Sequence, residues 1–183
     1  MSWEISKAFE FDYGHRVWTQ QLQKDFSIDT SCACKHYHGH RGKIIVYLES
    51  EELNRQGMIT DFKHLNWFKK WIDEVLDHKF IMDRNDPVYP YEMFFFQGFD
   101  ENELLLSYPE GYYIINPKAY ESLDLGLKEK YEGMVFVDFV PTSENLSKWV
   151  FGIVSDKMKQ LGITVSKIEF YETPKSKSSF LRD

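Results

Sequence analysis

Between residues 4 and 15 the chain alternates: Phe9, Phe11, Tyr13 and His15 share one parity, while Glu10 and Asp12 take the other. A β-strand turns successive side chains to opposite faces, so this pattern requires a half-buried strand with a histidine closing its apolar stripe. Such a strand needs strand neighbours and a covering layer, and the rest of the chain supplies both. Residues 16–35 are polar and irregular and read as a loop. Residues 43–49, Lys-Ile-Ile-Val-Tyr-Leu-Glu, read as a second strand whose start can lie as early as His36. Met58 and Ile59, after Gly57, are expected to finish a third strand, and residues 164–172 form the last.

Two helices complete the pattern. Asp61 is placed to cap one, with apolar residues at 62, 65, 68, 72, 75 and 76. The other is expected from Pro141-Thr142-Ser143, with Leu146, Trp149, Val150, Ile153, Val154 and Leu161 inward and Gly162 at its stop. Two strand-rich halves, each followed by an amphipathic helix, make the class α+β, and 183 residues suit one domain. Residues 84–138 stand apart, with Phe94-Phe95-Phe96, Leu104-Leu105-Leu106 and Tyr112-Tyr113-Ile114-Ile115 broken by Gly, Pro and Asn. A linker would be poor in aromatics, so this stretch is expected to form one or two inserted hairpins. It contains no His or Cys and can supply no thiolate or imidazole ligand.

The net charge of −7 disfavours generic binding to nucleic acid phosphates, although local Lys and Arg clusters can still hold a small anion. Cys32 and Cys34, one residue apart, offer no disulfide framework and point to a reducing compartment. The sequence Met1-Ser2-Trp3-Glu4 has no secretory character, and no stretch approaches the roughly 18 apolar residues of a membrane span. The expected setting is the cytoplasm.

The chemistry concentrates in Cys32-Ala33-Cys34-Lys35-His36-Tyr37-His38-Gly39-His40. On an extended strand, His38 and His40 put both imidazoles on one face, about 7 Å apart along the chain. A third imidazole from another strand would complete a site of three protein ligands with one open position, the pattern of catalytic zinc. His15 is the natural third. His36 has the same parity as the pair, so spacing does not choose among them, and the competing reading is a cluster of surface histidines.

Phe11-Asp12-Tyr13-Gly14-His15-Arg16, Cys34-Lys35-His36-Tyr37-His38-Gly39-His40, Leu76-Asp77-His78, Pro141-Thr142-Ser143-Glu144-Asn145 and Tyr171-Glu172-Thr173-Pro174 follow in order. Together they resemble the signatures of the family that comprises 6-pyruvoyltetrahydropterin synthase and 6-carboxytetrahydropterin synthase. The resemblance covers residues 4–82 and 139–181 and is nearer the 6-carboxy branch. It implies the tunnelling fold, a four-stranded antiparallel sheet with two helices on one face, and assembly as a hexamer of two trimers. It implies Zn²⁺ on His15, His38 and His40, leaving His36 a neighbour.

The resemblance also assigns roles. Cys34 matches the family's general base at the 6-carboxy spacing, while Cys32 stands at the 6-pyruvoyl spacing. A nearby metal or histidine lowers a thiol pKa toward neutrality, as such a base requires. Asp77 and His78 match a proton relay in which the carboxylate fixes the imidazole. By pattern alone they are a polar pair at a helix end. Glu172 matches the anchor of the pterin ring, where a carboxylate accepts paired N–H donors. Glu144 matches a second substrate contact, or else serves the dipole of its helix. Arg16, Lys35, Arg41, Lys43, Lys175 and Lys177 are candidates for a triphosphate, and His64 has no match. The implied reaction is a zinc-dependent carbon–carbon lyase acting on 7,8-dihydroneopterin triphosphate to give 6-carboxy-5,6,7,8-tetrahydropterin, on the path to queuosine. The alternatives are 6-pyruvoyltetrahydropterin formation or a non-catalytic pterin-binding module.

Overall fold

The computed structural model of the chain describes residues 2–28, 31–121 and 123–182. Strand β1 is Trp3–His15, and its burial follows its sequence: Phe9, Phe11 and Tyr13 are each 4% exposed and His15 is fully buried. A 3-10 turn at Ala33–Lys35, closed by His36, precedes β2 at His38–Ser50. A second 3-10 turn, Phe62–Leu65, leads into α1 at Asn66–Val75, and Asp61 caps it by accepting the Lys63 N–H. Leu65, Phe68, Ile72, Val75 and Leu76 are buried as expected, whereas Phe62 faces outward. Strand β3 is Lys79–Asp83. There follow α2 at Tyr89–Glu92, α3 at Glu101–Leu104, β4 at Leu105–Tyr108 and β5 at Tyr112–Ile115. Then come α4 at Leu125–Glu132, β6 at Met134–Val137, α5 at Ser143–Lys159, β7 at Thr164–Thr173 and β8 at Ser176–Leu181. Among the described residues no helix is long and apolar enough to cross a membrane.

The sheet is larger than the four antiparallel strands expected. Eight strands are hydrogen-bonded in the order β4-β5-β6-β3-β1-β2-β7-β8. β3 pairs in parallel with both β1 and β6, while β2–β7, β7–β8, β4–β5 and β5–β6 are antiparallel. Of the unforeseen strands β3, β6 and β8, β6 has a physical reason for being hard to see. β6, Met-Val-Phe-Val, is buried at every residue, and a strand covered on both faces has no alternation to read. Of the inserted residues, 105–115 form the expected hairpin, but Phe94–Phe96 is a 3-10 turn.

Met58 and Ile59 form no strand. Asn54 organises a turn there: its Oδ1 accepts the Gln56 and Met58 N–H groups, and its own N–H donates to the Met58 carbonyl. Both main-chain groups of Met58 are thus spent locally, leaving nothing for a ladder. At α5 the expected boundaries hold. Thr142 accepts the Asn145 N–H, and Gly162, at φ 69°, lets the Ile163 N–H reach back to the Met158 carbonyl. Met158 rather than Leu161 fills the last inward position; Leu161 is exposed.

The chain divides into two compact units. One takes Met1–Asp12, His40–Asp77 and Thr142–Asp183; the other takes Tyr13–Gly39 and His78–Pro141. In the first, α1 and α5 cover the apolar face, with Phe9 edge-on to Phe68 at 5.2 Å and Trp71 against Trp149 at 5.4 Å. Its polar side holds a buried carboxylate, Glu169. Burial pushes that carboxyl up, but the Lys177 ammonium and the Tyr47 hydroxyl, 2.8 Å away, outweigh it and hold it below the usual range. Burial and the same hydrogen bond push Tyr47 up to about 12. The second unit has a core of its own, built from Met82, Phe96, Leu105, Ile115, Tyr131 and Phe136.

Candidate metal centre

β1 and β2 are sheet neighbours, and β1 ends where β2 begins, so two short stretches carry all three histidines. The ligand atoms of His15, His38 and His40 lie within 4.8 Å of one another. The rings of His15 and His38 are 4.6 Å apart. The His15 Nδ1–H donates to the Pro141 carbonyl at 2.6 Å, and the His38 Nδ1–H donates to the His36 carbonyl at 2.8 Å. A carbonyl only accepts, so both Nδ1 atoms carry a proton, and in the neutral imidazole Nε2 is then the atom with a lone pair to offer a metal. Holding one ring nitrogen on a carbonyl is how proteins orient metal-ligating histidines. Three imidazoles suit zinc with an open fourth position, and are poor ligands for hard cations such as Mg²⁺ or Ca²⁺. The ambiguity over His36 resolves in its backbone. Its side chain is outside the cluster, and its carbonyl orients His38.

The other expected residues fall as follows. Glu172, near the end of β7, puts Oε1 3.7 Å from His40 Nε2. Cys34 is half-buried in the turn before β2, and its carbonyl accepts the Val17 N–H at 2.8 Å, tying that turn to the segment after His15. Cys32 stands at the N-terminal end of the same turn and is likewise half-buried. Asp77 Oδ1 accepts the Asp12 N–H at 3.0 Å, which fixes the carboxylate beside β1. His78 is exposed between α1 and β3. Glu144 is exposed in the first turn of α5 and accepts from the Ser143 hydroxyl at 3.2 Å.

His78 adopts φ 57°, the one left-handed non-glycine conformation among the described residues. A Cβ there costs roughly 1–2 kcal/mol, and such outliers gather at functional sites. The His78→Gly chain is therefore expected to exceed His78→Ala in stability by about 1 kcal/mol in urea unfolding, since both lose the imidazole and only alanine keeps the strain. Equal stabilities would show that this backbone is not strained.

Several cations considered for a triphosphate are engaged elsewhere. Arg16 pairs with buried Asp86 at 3.0 Å, Lys177 pairs with Glu169, and Lys43 lies 4.1 Å over the Tyr171 ring. Lys35 and Lys175 are exposed, and Arg41 reaches Glu10 at 3.5 Å. His64, which has no match, shares a 2.6 Å hydrogen bond through its Nδ1 with Thr60 Oγ1. Asp83, Asp86 and Glu92, whose carboxylates hold Trp18, Arg16 and Tyr37, carry no sequence signal at all.

The sequence matches the 6-pyruvoyl tetrahydropterin synthase family over residues 4–183. A 6-carboxy-5,6,7,8-tetrahydropterin synthase of Aquifex aeolicus is 31% identical over 194 aligned positions, covering 98% of both chains. The crystal structure of an uncharacterized protein from Wolinella succinogenes is 45% identical, superposes with a TM-score of 0.94, and covers 100% of this chain and 99% of that one. Residues 84–138 thus have a full counterpart there, where the five motifs alone find none. The 6-pyruvoyl tetrahydropterin synthase of Caenorhabditis elegans, at 17% identity and a TM-score of 0.58 over 100% of this chain and 97% of that one, shares the fold. With the match running almost end to end and the histidine cluster in place, this chain belongs to the 6-pyruvoyl tetrahydropterin synthase family.

Proposed function

We propose that the chain is a zinc-dependent lyase converting 7,8-dihydroneopterin triphosphate and one water to 6-carboxy-5,6,7,8-tetrahydropterin, acetaldehyde and triphosphate, on the path to queuosine. The carrying observation is the cluster of His15, His38 and His40, with two of its rings oriented through Nδ1 by main-chain carbonyls. The product follows the relative from Aquifex aeolicus, itself a 6-carboxy-5,6,7,8-tetrahydropterin synthase. A zinc ion on these imidazoles supplies a Lewis acid for the side-chain hydroxyls of the substrate.

The remaining work falls to the protein. Cys34 takes a proton from the substrate side chain as general base. Asp77 fixes the His78 imidazole, which passes that proton onward. Glu172 accepts N–H donors from the pterin ring, and Glu144 gives a second contact. The working form is a cytoplasmic homohexamer of two trimers, each subunit a single domain with an insertion at 84–138.

A second reading makes Cys32 the base and 6-pyruvoyltetrahydropterin the product, favoured by the place of Cys32 on the same turn, where it too is half-buried. Zinc-loaded protein incubated with 7,8-dihydroneopterin triphosphate is expected to release acetaldehyde in step with the 6-carboxy product. Triphosphate without acetaldehyde would move the assignment to the second reading. Release of neither would leave a pterin-binding module without catalysis.

A further inference from the structure

We infer that the segment joining β3 to α5 is the positioning frame of the metal centre, with Glu92 holding Tyr37 and Asp86 holding Arg16, the chain neighbours of His38 and His15. The inference rests on reading His15, His38 and His40 as metal ligands.

On the β2 side, the Tyr37 hydroxyl donates to Glu92 Oε1 at 2.9 Å. Glu92 is anchored in turn: Lys130 pairs with its other carboxylate oxygen, and the Tyr131 hydroxyl donates to its carbonyl at 2.7 Å. The Tyr37 ring also packs on Phe80 at 4.9 Å. Gly14 permits that packing, because a Cβ at position 14 would lie 2.7 Å from the Phe80 ring. The His36 carbonyl lies in one peptide plane with the Tyr37 nitrogen and Cα, so holding Tyr37 restrains the swing of that carbonyl. That carbonyl accepts the His38 Nδ1–H and so sets the direction of the ring.

The β1 side is built the same way. Arg16, next to His15, pairs with Asp86, whose side chain is 1% exposed, and its guanidinium lies 5.7 Å over the Tyr37 ring. Trp18 Nε1–H donates to Asp83 Oδ2 at 2.9 Å, and the acceptor for His15 is the Pro141 carbonyl, where the segment ends. Each ligand end is therefore gripped at an adjoining residue by carboxylates set on a packed core. Contacts that merely dock a segment would have no path to a ring nitrogen. Tyr37 has one, through a single peptide plane.

The test is zinc affinity, measured by competition with a chromophoric chelator, together with the visible absorption of the Co²⁺-loaded chain. Glu92→Ala and Tyr37→Phe should each weaken zinc binding about tenfold, the low end for outer partners of ligating histidines, and alter the Co²⁺ bands. The double variant should be no weaker than either single one, because both remove the same bond. Glu92→Gln keeps an acceptor for the Tyr37 hydroxyl and should recover most of the affinity. Glu101→Gln, which breaks the pair with Arg84 inside the segment, should bind zinc as the parent does. Parental affinity and spectrum in both Glu92→Ala and Tyr37→Phe overturn the inference, and so does an equal loss in Glu101→Gln. If the parent chain binds no zinc, or keeps it after His15→Ala and His38→Ala, the metal reading fails instead. Tyr37→Phe removes one oxygen from a half-exposed side chain, so a folded variant is in hand.

Discussion

A chain carrying both His15→Ala and His38→Ala is expected to leave purification without zinc, where the parent holds about one ion per chain. The ligand atoms of the trio lie within 4.8 Å of one another, and the double change leaves a single imidazole. Turnover should fall at least about 10³-fold, since Lewis-acid stabilisation worth several kcal/mol is lost at about 1.4 kcal/mol per decade. The fold should survive. Phe9, Phe68, Phe136 and Ile168 are buried without any help from a metal, unlike the core of a zinc finger. Metal analysis by mass spectrometry, read beside circular dichroism, decides the matter, and undiminished zinc in the double variant sinks the assignment. His15 is fully buried, so His38→Ala alone, at a half-buried position, guards against mistaking a folding defect for a lost ligand.

Cys34→Ala is expected to lower turnover by about 10²–10⁴ while leaving zinc in place, the usual worth of a positioned general base. Cys32→Ala should keep most of the activity. The thiol of Cys34 is half-buried and its carbonyl is the group that binds Val17, so alanine removes the acid–base chemistry and spares the hydrogen bond that shapes the turn. Single-turnover release of acetaldehyde is the readout. Loss in Cys32→Ala with retention in Cys34→Ala would transfer the role and favour the 6-pyruvoyl product.

The half of the fold that alternates was legible. β1 showed its parity through Phe9, Phe11, Tyr13 and His15, and the caps at Asp61, Thr142 and Gly162 fell where short polar residues and glycine predict. What escaped has particular causes. β6 is buried at every residue and so has no period; Met58 belongs to a turn dictated by Asn54; Phe62 lies in the 3-10 turn ahead of α1 and Leu161 just past the end of α5, and both are exposed. In the site, parity left His36, His38 and His40 equivalent. The choice depended on where β2 begins, and the 3-10 turn closed by His36 sets that boundary. The carboxylates of Asp86 and Glu92 were invisible because their partners lie far along the chain and no motif joins them.

The bond between His15 and Pro141 has a consequence for how the protein is made. His15, Cys32, Cys34, His38 and His40 lie close together in the chain, but the carbonyl that orients the His15 ring belongs to a residue roughly 100 positions after His40. The parallel partner of the β1 end, Lys79–Asp83, also arrives only after α1. At about 5–20 residues per second, the nascent chain displays two thiols and several imidazoles for roughly 5–20 seconds before native orientation is available. Non-local pairing adds its own delay. During that interval Cys32 and Cys34 are soft sulfur donors that no fold constrains, whereas the finished chain offers oriented imidazoles. A metal bound at the trio would therefore meet its oriented ligands only after Pro141 has been made.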